Sequence, residues 1–210
     1  MGFDFPRLHL VTDTRPGRDA LAVVAAAVSV APPGELAVQV RVEDDTTDRQ
    51  AYALALAVLE ICRPAQVMCL VNDRLHVALA VGADGAHVGA EDLPVAAARK
   101  VLGAAGVLGA TSRDPGSARA AVVAGASYLG VGPAYPTATK PGLPPPLGPP
   151  GVGVVAQSVP NTPVIAIGGV TVDGVRPLLD AGAHGVAVVG ALASAADPAW
   201  ATTGILKALS

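Results

Sequence analysis

The segment AGAHGVAVVG, residues 181 to 190, decides the fold, because two other stretches repeat its plan: VGADGAHVG at 81 to 89 and AGASYLGVG at 124 to 132. Each reads as a helix end, a Gly-Ala pair, a short turn and an apolar strand that ends in glycine. Glycine at the helix end suits a left-handed C-cap, and the alanine after it suits close packing of the helix onto a sheet. One strand-and-helix unit is being reused.

Working outward from these three, the same alternation fills the chain. LHLVT (8 to 12), LAVQVR (36 to 41), VMCLV (67 to 71), GAHV (85 to 88), VLGA (107 to 110), YLGVG (128 to 132), PVIAIGG (163 to 169) and GVAVVG (185 to 190) read as eight strands. Nearly all are continuous apolar runs, as expected of parallel strands covered on both faces. Helical spacing predicts helices near 17 to 31, 47 to 62, 74 to 81, 93 to 102, 115 to 124, 151 to 158, 172 to 181 and 198 to 209. Two carry start signals: Asp92 before LPVAAARK, with Pro94 in the first turn, and Asp114 before Pro115. Eight units in 210 residues leave about 26 residues each, close to the minimum for a single-domain α/β protein of the (β/α)8, or TIM, barrel type. An open doubly wound sheet is the alternative, but no G-x-G-x-x-G follows the first strand.

Composition narrows the function. With 51% hydrophobic and 15% charged residues the chain can bury a large core, which excludes disorder. Lys+Arg 14 against Asp+Glu 17 lacks the positive balance that holds nucleic-acid phosphates, so a nucleic-acid partner is excluded. The acidic, proline-containing start MGFDFPRLHLV does not read as a signal peptide. Cys62 and Cys69 form no C-x-x-C pair and read as core residues of a cytoplasmic protein. Residues 141 to 172 carry no formal charge but eight prolines, which rules out a membrane helix and predicts a proline-rich loop at 141 to 150 before a buried strand.

In such a barrel the chemistry sits at the carboxyl ends of the strands. Gln39, Arg41, Glu43, Asp44 and Asp45 follow strand two; Asn72, Asp73 and Arg74 follow strand three; Glu91 and Asp92 follow strand four. Thr111, Ser112 and Arg113 close strand five, and GPAYPTATKPG follows strand six. Asp73 and Asp92 on neighbouring strand ends would suit a hard divalent cation completed by water and phosphate oxygens. The alternative is that Asp92 caps its helix and Asp73 pairs with Arg74. Thr137, Thr139 and Lys140 offer hydroxyls and an ammonium to an anionic oxygen, and Gly168, Gly169 and Gly190 allow close backbone approach. His87 lies inside an apolar strand and reads as a satisfied core residue. No general base is assigned to it or to His9, His76 or His184, and Trp200 reads as packing.

Taken in order, LVTD (10 to 13), VQVR (38 to 41), VNDR (71 to 74), ADGAHVGAEDLP (83 to 94), GPAYPTATKPG (132 to 142), AIGGV (166 to 170) and GAHGVAVVGAL (182 to 192) resemble the thiamine-phosphate synthase family. The resemblance spans nearly the whole chain. It implies a (β/α)8 barrel that joins hydroxymethylpyrimidine pyrophosphate to thiazole phosphate, with Mg2+ as cofactor and no proton-transfer residue. Matching positions imply Asp73 and Asp92 as Mg2+ ligands. They imply Gln39, Arg41, Asn72, Thr111 and Lys140 around the pyrimidine pyrophosphate, and Thr137, Thr139, Gly169, Val189 and Gly190 around thiazole phosphate. The expected partners are these small phosphorylated substrates, with no membrane, and the chain is either alone or a homo-oligomer. The sequence departs from the family at Glu43 (usually Lys), Ala90 (Gln), Thr111 (Ser) and Gly190 (Ser). The rival readings are a thiazole tautomerase, which would need a histidine where Arg113 stands, and a non-catalytic barrel that binds phosphorylated ligands.

Overall fold

The computed structural model describes residues 5 to 137, 139 and 142 to 210. Eight parallel strands close into one barrel: β1 Leu8–Val11, β2 Leu36–Val40, β3 Met68–Asn72, β4 Gly85–Val88, β5 Val107–Ser112, β6 Tyr128–Val131, β7 Val164–Ile167 and β8 Gly185–Val188. Closure comes from β8 pairing with β1, Leu8 opposite Val186. The helices are α1 Ala20–Val30, α2 Asp48–Cys62, α3 Leu75–Val81, α4 Val95–Leu102, α5 Pro115–Val123, α6 Gly148–Ser158, α7 Val172–Asp180, α8 Gly190–Ala193 and α9 Pro198–Leu209. Among the described residues no helix is long and apolar enough to cross a membrane.

The repeated Gly-Ala unit does in space what its chemistry predicts. Gly82, Gly125 and Gly182 have positive φ, and Ala83, Ala126 and Ala183 donate back to the carbonyls of Ala78, Ala121 and Leu178. These are three copies of the six-to-one helix stop that a left-handed residue permits. Each stop delivers the chain directly into β4, β6 or β8.

The strands alternate more strictly than their apolar runs suggest. Their outer positions, Leu8, Leu10, Leu36, Val38, Val71, Val88, Leu108, Leu129, Ala166 and Val186 among them, join one large cluster with the helices. Their inner positions form a second, smaller cluster around Val11, Leu70, Tyr128, Ile165 and Ala187. The inner face is small or aliphatic enough to hide the alternation from a reading by apolarity alone.

Three boundaries differ from expectation for local reasons. Asp92 does not cap α4; Pro94 occupies the N-cap position with an extended backbone, and the helix starts at Val95. The proline-rich loop ends at residue 147, because Pro149 and Pro150 lie in the first turn of α6, where a missing N–H costs nothing. After β8 the backbone turns at once into the four-residue α8, too short to leave a periodic signal.

Candidate active site

The inner-face parity of the strands carries the polar residues to one rim. Gln39 and Arg41 share it on and after β2, Asn72 on β3, His87 on β4, Thr111 on β5, Gly169 after β7 and Val189 after β8. Thr12 fixes Arg41 from the neighbouring strand end. Its hydroxyl donates to the Arg41 carbonyl at 2.7 Å and accepts the Arg41 N–H at 2.8 Å. The Arg41 guanidinium meets Glu43 Oε1 at 3.1 Å, with both side chains partly exposed. A cleft of about 420 Å³ opens beside this pair between the β1 and β2 exits, with Thr14, Glu43 and Thr46 in its walls.

Two aspartates hang on the end of β4. Asp73 has φ +61 and its N–H donates to the His87 carbonyl at 2.8 Å. Left-handed backbone is uncommon for any residue but glycine and most tolerated by Asn and Asp. Asp92 turns back so that its Oδ2 accepts the Gly89 N–H at 2.6 Å. A Cβ at position 89 would crowd that carboxylate at 2.8 Å, so glycine leaves the room that Asp92 fills. Arg74 does not pair with Asp73; it reaches across to Asp48 and the Thr46 carbonyl. Among the described residues no group of three or more His, Cys, Asp or Glu could hold a metal ion. Asp73 and Asp92 offer carboxylate oxygens, the donor type that suits Mg2+, an ion that keeps several waters and binds substrate phosphates.

The exits of β6, β7 and β8 close together on the other side of the rim. Thr137 Oγ1 donates to Thr139 Oγ1 at 3.1 Å and accepts the Thr139 N–H at 3.2 Å. A Cβ added to Gly190 would lie 3.8 Å from Thr139 Oγ1, and one on Gly169 would lie 2.9 Å from Tyr135 Cβ. Gly168 and Gly169, at φ +99 and +65, therefore let the β7 exit press against the β6 loop. Lys140 lies outside the described residues. Arg113 donates to the Pro145 carbonyl at 2.8 Å and so ties the β5 exit to the proline-rich loop.

Below the rim a chain of side chains crosses the barrel. Gln39 Nε2 donates to the Tyr128 hydroxyl at 3.2 Å; that hydroxyl lies 3.0 Å from His87 Nδ1, and His87 Nε2 lies 3.0 Å from Thr111 Oγ1. Burial holds His87 down to about 4 and pushes the Tyr128 hydroxyl well above its ordinary value, so both are neutral near pH 7. His87 is a satisfied residue, as its setting in an apolar strand suggested. Deeper still, His9 packs on Phe5 and Tyr128 with ring centroids 5.5 and 5.1 Å away. Burial, with a further contribution from His87, lowers it to about 3.

Sequence reasoning missed a second group at the β1 exit. Asp13 is 2% exposed and grips Arg15 with both oxygens, at 2.8 and 2.7 Å. Arg18 lies 3.5 Å from the same carboxylate and donates to the Ala193 carbonyl of α8 at 3.0 Å. The Arg15 hydrogen bonds hold the Asp13 carboxyl below the usual range. A Thr-Asp pair closing strand one was the available signal, and the strand-end rule applied to β1 would have found it. Cys62 and Cys69 are buried free thiols, and the contact with Cys62 together with burial pushes Cys69 upward, away from thiolate.

Comparison with known proteins agrees with this geometry. A model of the thiamine monophosphate synthase family matches residues 8 to 192. A thiamine-phosphate synthase of Salinispora tropica is 64% identical over 97% of both chains, and one of Chloroflexus aurantiacus is 42% identical over 97% of this chain and 92% of its own. The solved thiamine phosphate pyrophosphorylase of Pyrococcus furiosus superposes with a TM-score of 0.85 at 31% identity, covering 97% of this chain and 95% of that one.

Proposed function

Given that this chain belongs to the thiamine monophosphate synthase family, we propose that it is a thiamine-phosphate synthase. It condenses hydroxymethylpyrimidine pyrophosphate with thiazole phosphate to give thiamine phosphate and pyrophosphate. The bond from the pyrimidine methylene carbon to pyrophosphate breaks, with the electron pair leaving on the pyrophosphate. The thiazole ring nitrogen then forms the new C–N bond to that carbon. No proton has to move in either step, which accords with a barrel interior whose histidines, His9 and His87, are buried and neutral.

The observation that carries this reading is that the polar residues closing β2 to β8 lie at one end of the barrel, with the β6, β7 and β8 exits packed against one another. Arg41, Asn72 and Thr111, with Lys140, would hold the leaving pyrophosphate, and Gln39 would fix the pyrimidine end below it. Thr137, Thr139 and the backbone of Gly169, Val189 and Gly190 would hold thiazole phosphate, where the loops after strands seven and eight bind phosphate in many barrels. Asp73 and Asp92 would hold Mg2+, which supplies positive charge to neutralise the departing anion. Catalysis is then positioning plus stabilisation of the leaving group by donors already in place. The tautomerase reading loses support because position 113 holds an arginine already bonded to Pro145. The two buried free cysteines suit a reducing, cytoplasmic setting.

The test mixes the purified protein with Mg2+ and both substrates and follows pyrophosphate release and thiamine phosphate together. Equal amounts of the two products, lost on chelation of the metal, are expected. Isomerisation of the thiazole alone would point to the tautomerase, and binding without turnover to a phosphate-ligand barrel.

A further inference from the structure

Three hydrogen bonds in series, from Gln39 through Tyr128 and His87 to Thr111, have a direction, and that direction has a chemical consequence. Tyr128 is 1% exposed and His87 8% exposed, so water is not a ready substitute for a missing partner. The tyrosine oxygen receives the Gln39 amide N–H. Among the described residues its own proton then has one acceptor in reach, Nδ1 of His87 at 3.0 Å. A neutral imidazole carries one N–H, so accepting at Nδ1 places that N–H on Nε2, 3.0 Å from Thr111 Oγ1. Thr111 Oγ1 is thereby used as an acceptor, and its proton remains for a group outside the chain.

The reverse direction has two costs. With Gln39 turned over, Tyr128 would donate to it, His87 would donate from Nδ1, and the ring would take the Thr111 proton at Nε2. Thr111 would then offer only lone pairs to the rim, and lone pairs repel an anionic oxygen. With Gln39 left in place and Nδ1 protonated, the Tyr128 hydroxyl would receive two donors and its proton would have no acceptor among the described residues. A buried donor without a partner is costly.

The fold makes room for this chain of groups. A Cβ at position 109 would collide with Tyr128 Cζ and with His87 Nδ1, and one at position 130 would stand 3.0 Å from His87 Cε1. The inner-face glycines of β5 and β6 are therefore the space in which His87 meets Tyr128. Nothing in the helix layer requires them.

We propose that His87 and Tyr128 are positioning residues: they hold the imidazole as its Nε2–H tautomer and so turn the Thr111 hydroxyl into a donor toward the pyrophosphate oxygen. The inference rests on the synthase reading for the identity of that oxygen. Tyr128→Phe removes the proton given to Nδ1, and Thr111→Ser keeps the hydroxyl that Thr111→Val removes.

Two measurements separate the relay from the reaction. Nitrogen-15 NMR of the imidazoles in the substrate-free protein reads the tautomer whether or not the protein turns over. The expected result is an Nε2–H tautomer for His87 that loses its uniformity in Tyr128→Phe. Steady-state kinetics with both substrates and Mg2+ should show kcat reduced about tenfold or more in Tyr128→Phe and Thr111→Val, with KM for thiazole phosphate little changed and Thr111→Ser recovering most of the kcat that Thr111→Val loses. An Nδ1–H tautomer, or a Tyr128→Phe variant with unchanged kcat, would overturn the proposal. A correct tautomer in a protein that makes no thiamine phosphate would instead overturn the synthase reading and keep the relay's direction.

Discussion

The two faces of each strand do different work. On the outer face Leu108, Ala110 and Leu129 lie within the aliphatic layer between barrel and helices. One residue away on the inner face, Gly109, Thr111 and Tyr128 surround His87. The outer face is aliphatic along most of its length, with buried hydroxyls only toward the strand ends, at Thr12 and Ser112. On the inner face Gln39, Tyr128, His87 and Thr111 satisfy one another at 3.0 to 3.2 Å, and His9 stays neutral with its Nε2 unbonded among the described residues. A period of two thus separates folding from chemistry on a single segment.

The sharpest way to break this division is at the rim. Asp92→Asn should lower turnover about a hundredfold or more, while the melting temperature moves little; equal turnover would remove Asp92 from the metal site. On the outer face Leu129→Ala should cost about 2–5 kcal/mol in urea denaturation, the usual range for a leucine lost from a packed core. Its kcat per folded molecule should be unchanged. A fall in kcat matching the fall in stability would show the faces to be coupled.

Below the rim, pH provides a finer probe. His9 stays neutral when folded, because burial lowers it to about 3. The unfolded chain takes up that proton near pH 6.5. Between those values the unfolded state binds more protons, so stability falls as pH drops, by up to about 1.4 kcal/mol per pH unit for this one group. His9→Leu should flatten that part of the acid limb, measured as denaturation midpoint against pH; an unaltered slope would contradict the burial argument. The smallest effect is expected at Glu43→Lys. Removing a partly exposed pair with Arg41 should change stability by less than about 1 kcal/mol. The added cation should lower KM for the pyrimidine pyrophosphate a few fold, read by initial rates.

Much of this was legible in the sequence, for identifiable reasons. The Gly-Ala helix stops announce themselves because only glycine takes the left-handed backbone without cost, and they fixed the eight-unit barrel. Strand ends pointed to Gln39, Arg41, Asn72, Asp73 and Thr111 as candidates, since polar residues closing apolar runs are conspicuous, and the structure carries them to the exits of β2, β3 and β5. The pairing of His87 with Tyr128 was not legible, because the partners lie 41 residues apart and the glycines that admit them look like ordinary turn or strand glycines. Asp92 carried a start signal for α4 beside its metal reading because its spacing to Pro94 imitates a cap, but its carboxylate turns back to Gly89, so the cap alternative falls. The Asp13 cluster with Arg15 and Arg18 was passed over because a carboxylate beside two arginines resembles a solvated surface until its burial is known.

The division between faces is tested most directly at two neighbouring residues of β5. Gly109→Ala adds one methyl group to the inner face, and Ala110→Gly removes one from the outer. Denaturation midpoint and kcat should be measured on the same preparations. The account predicts that Gly109→Ala loses about tenfold or more in kcat as the Tyr128 and His87 rings are pushed apart, while Ala110→Gly keeps its kcat and loses about 1 kcal/mol or more of stability. Parallel losses of both quantities in both variants would contradict it.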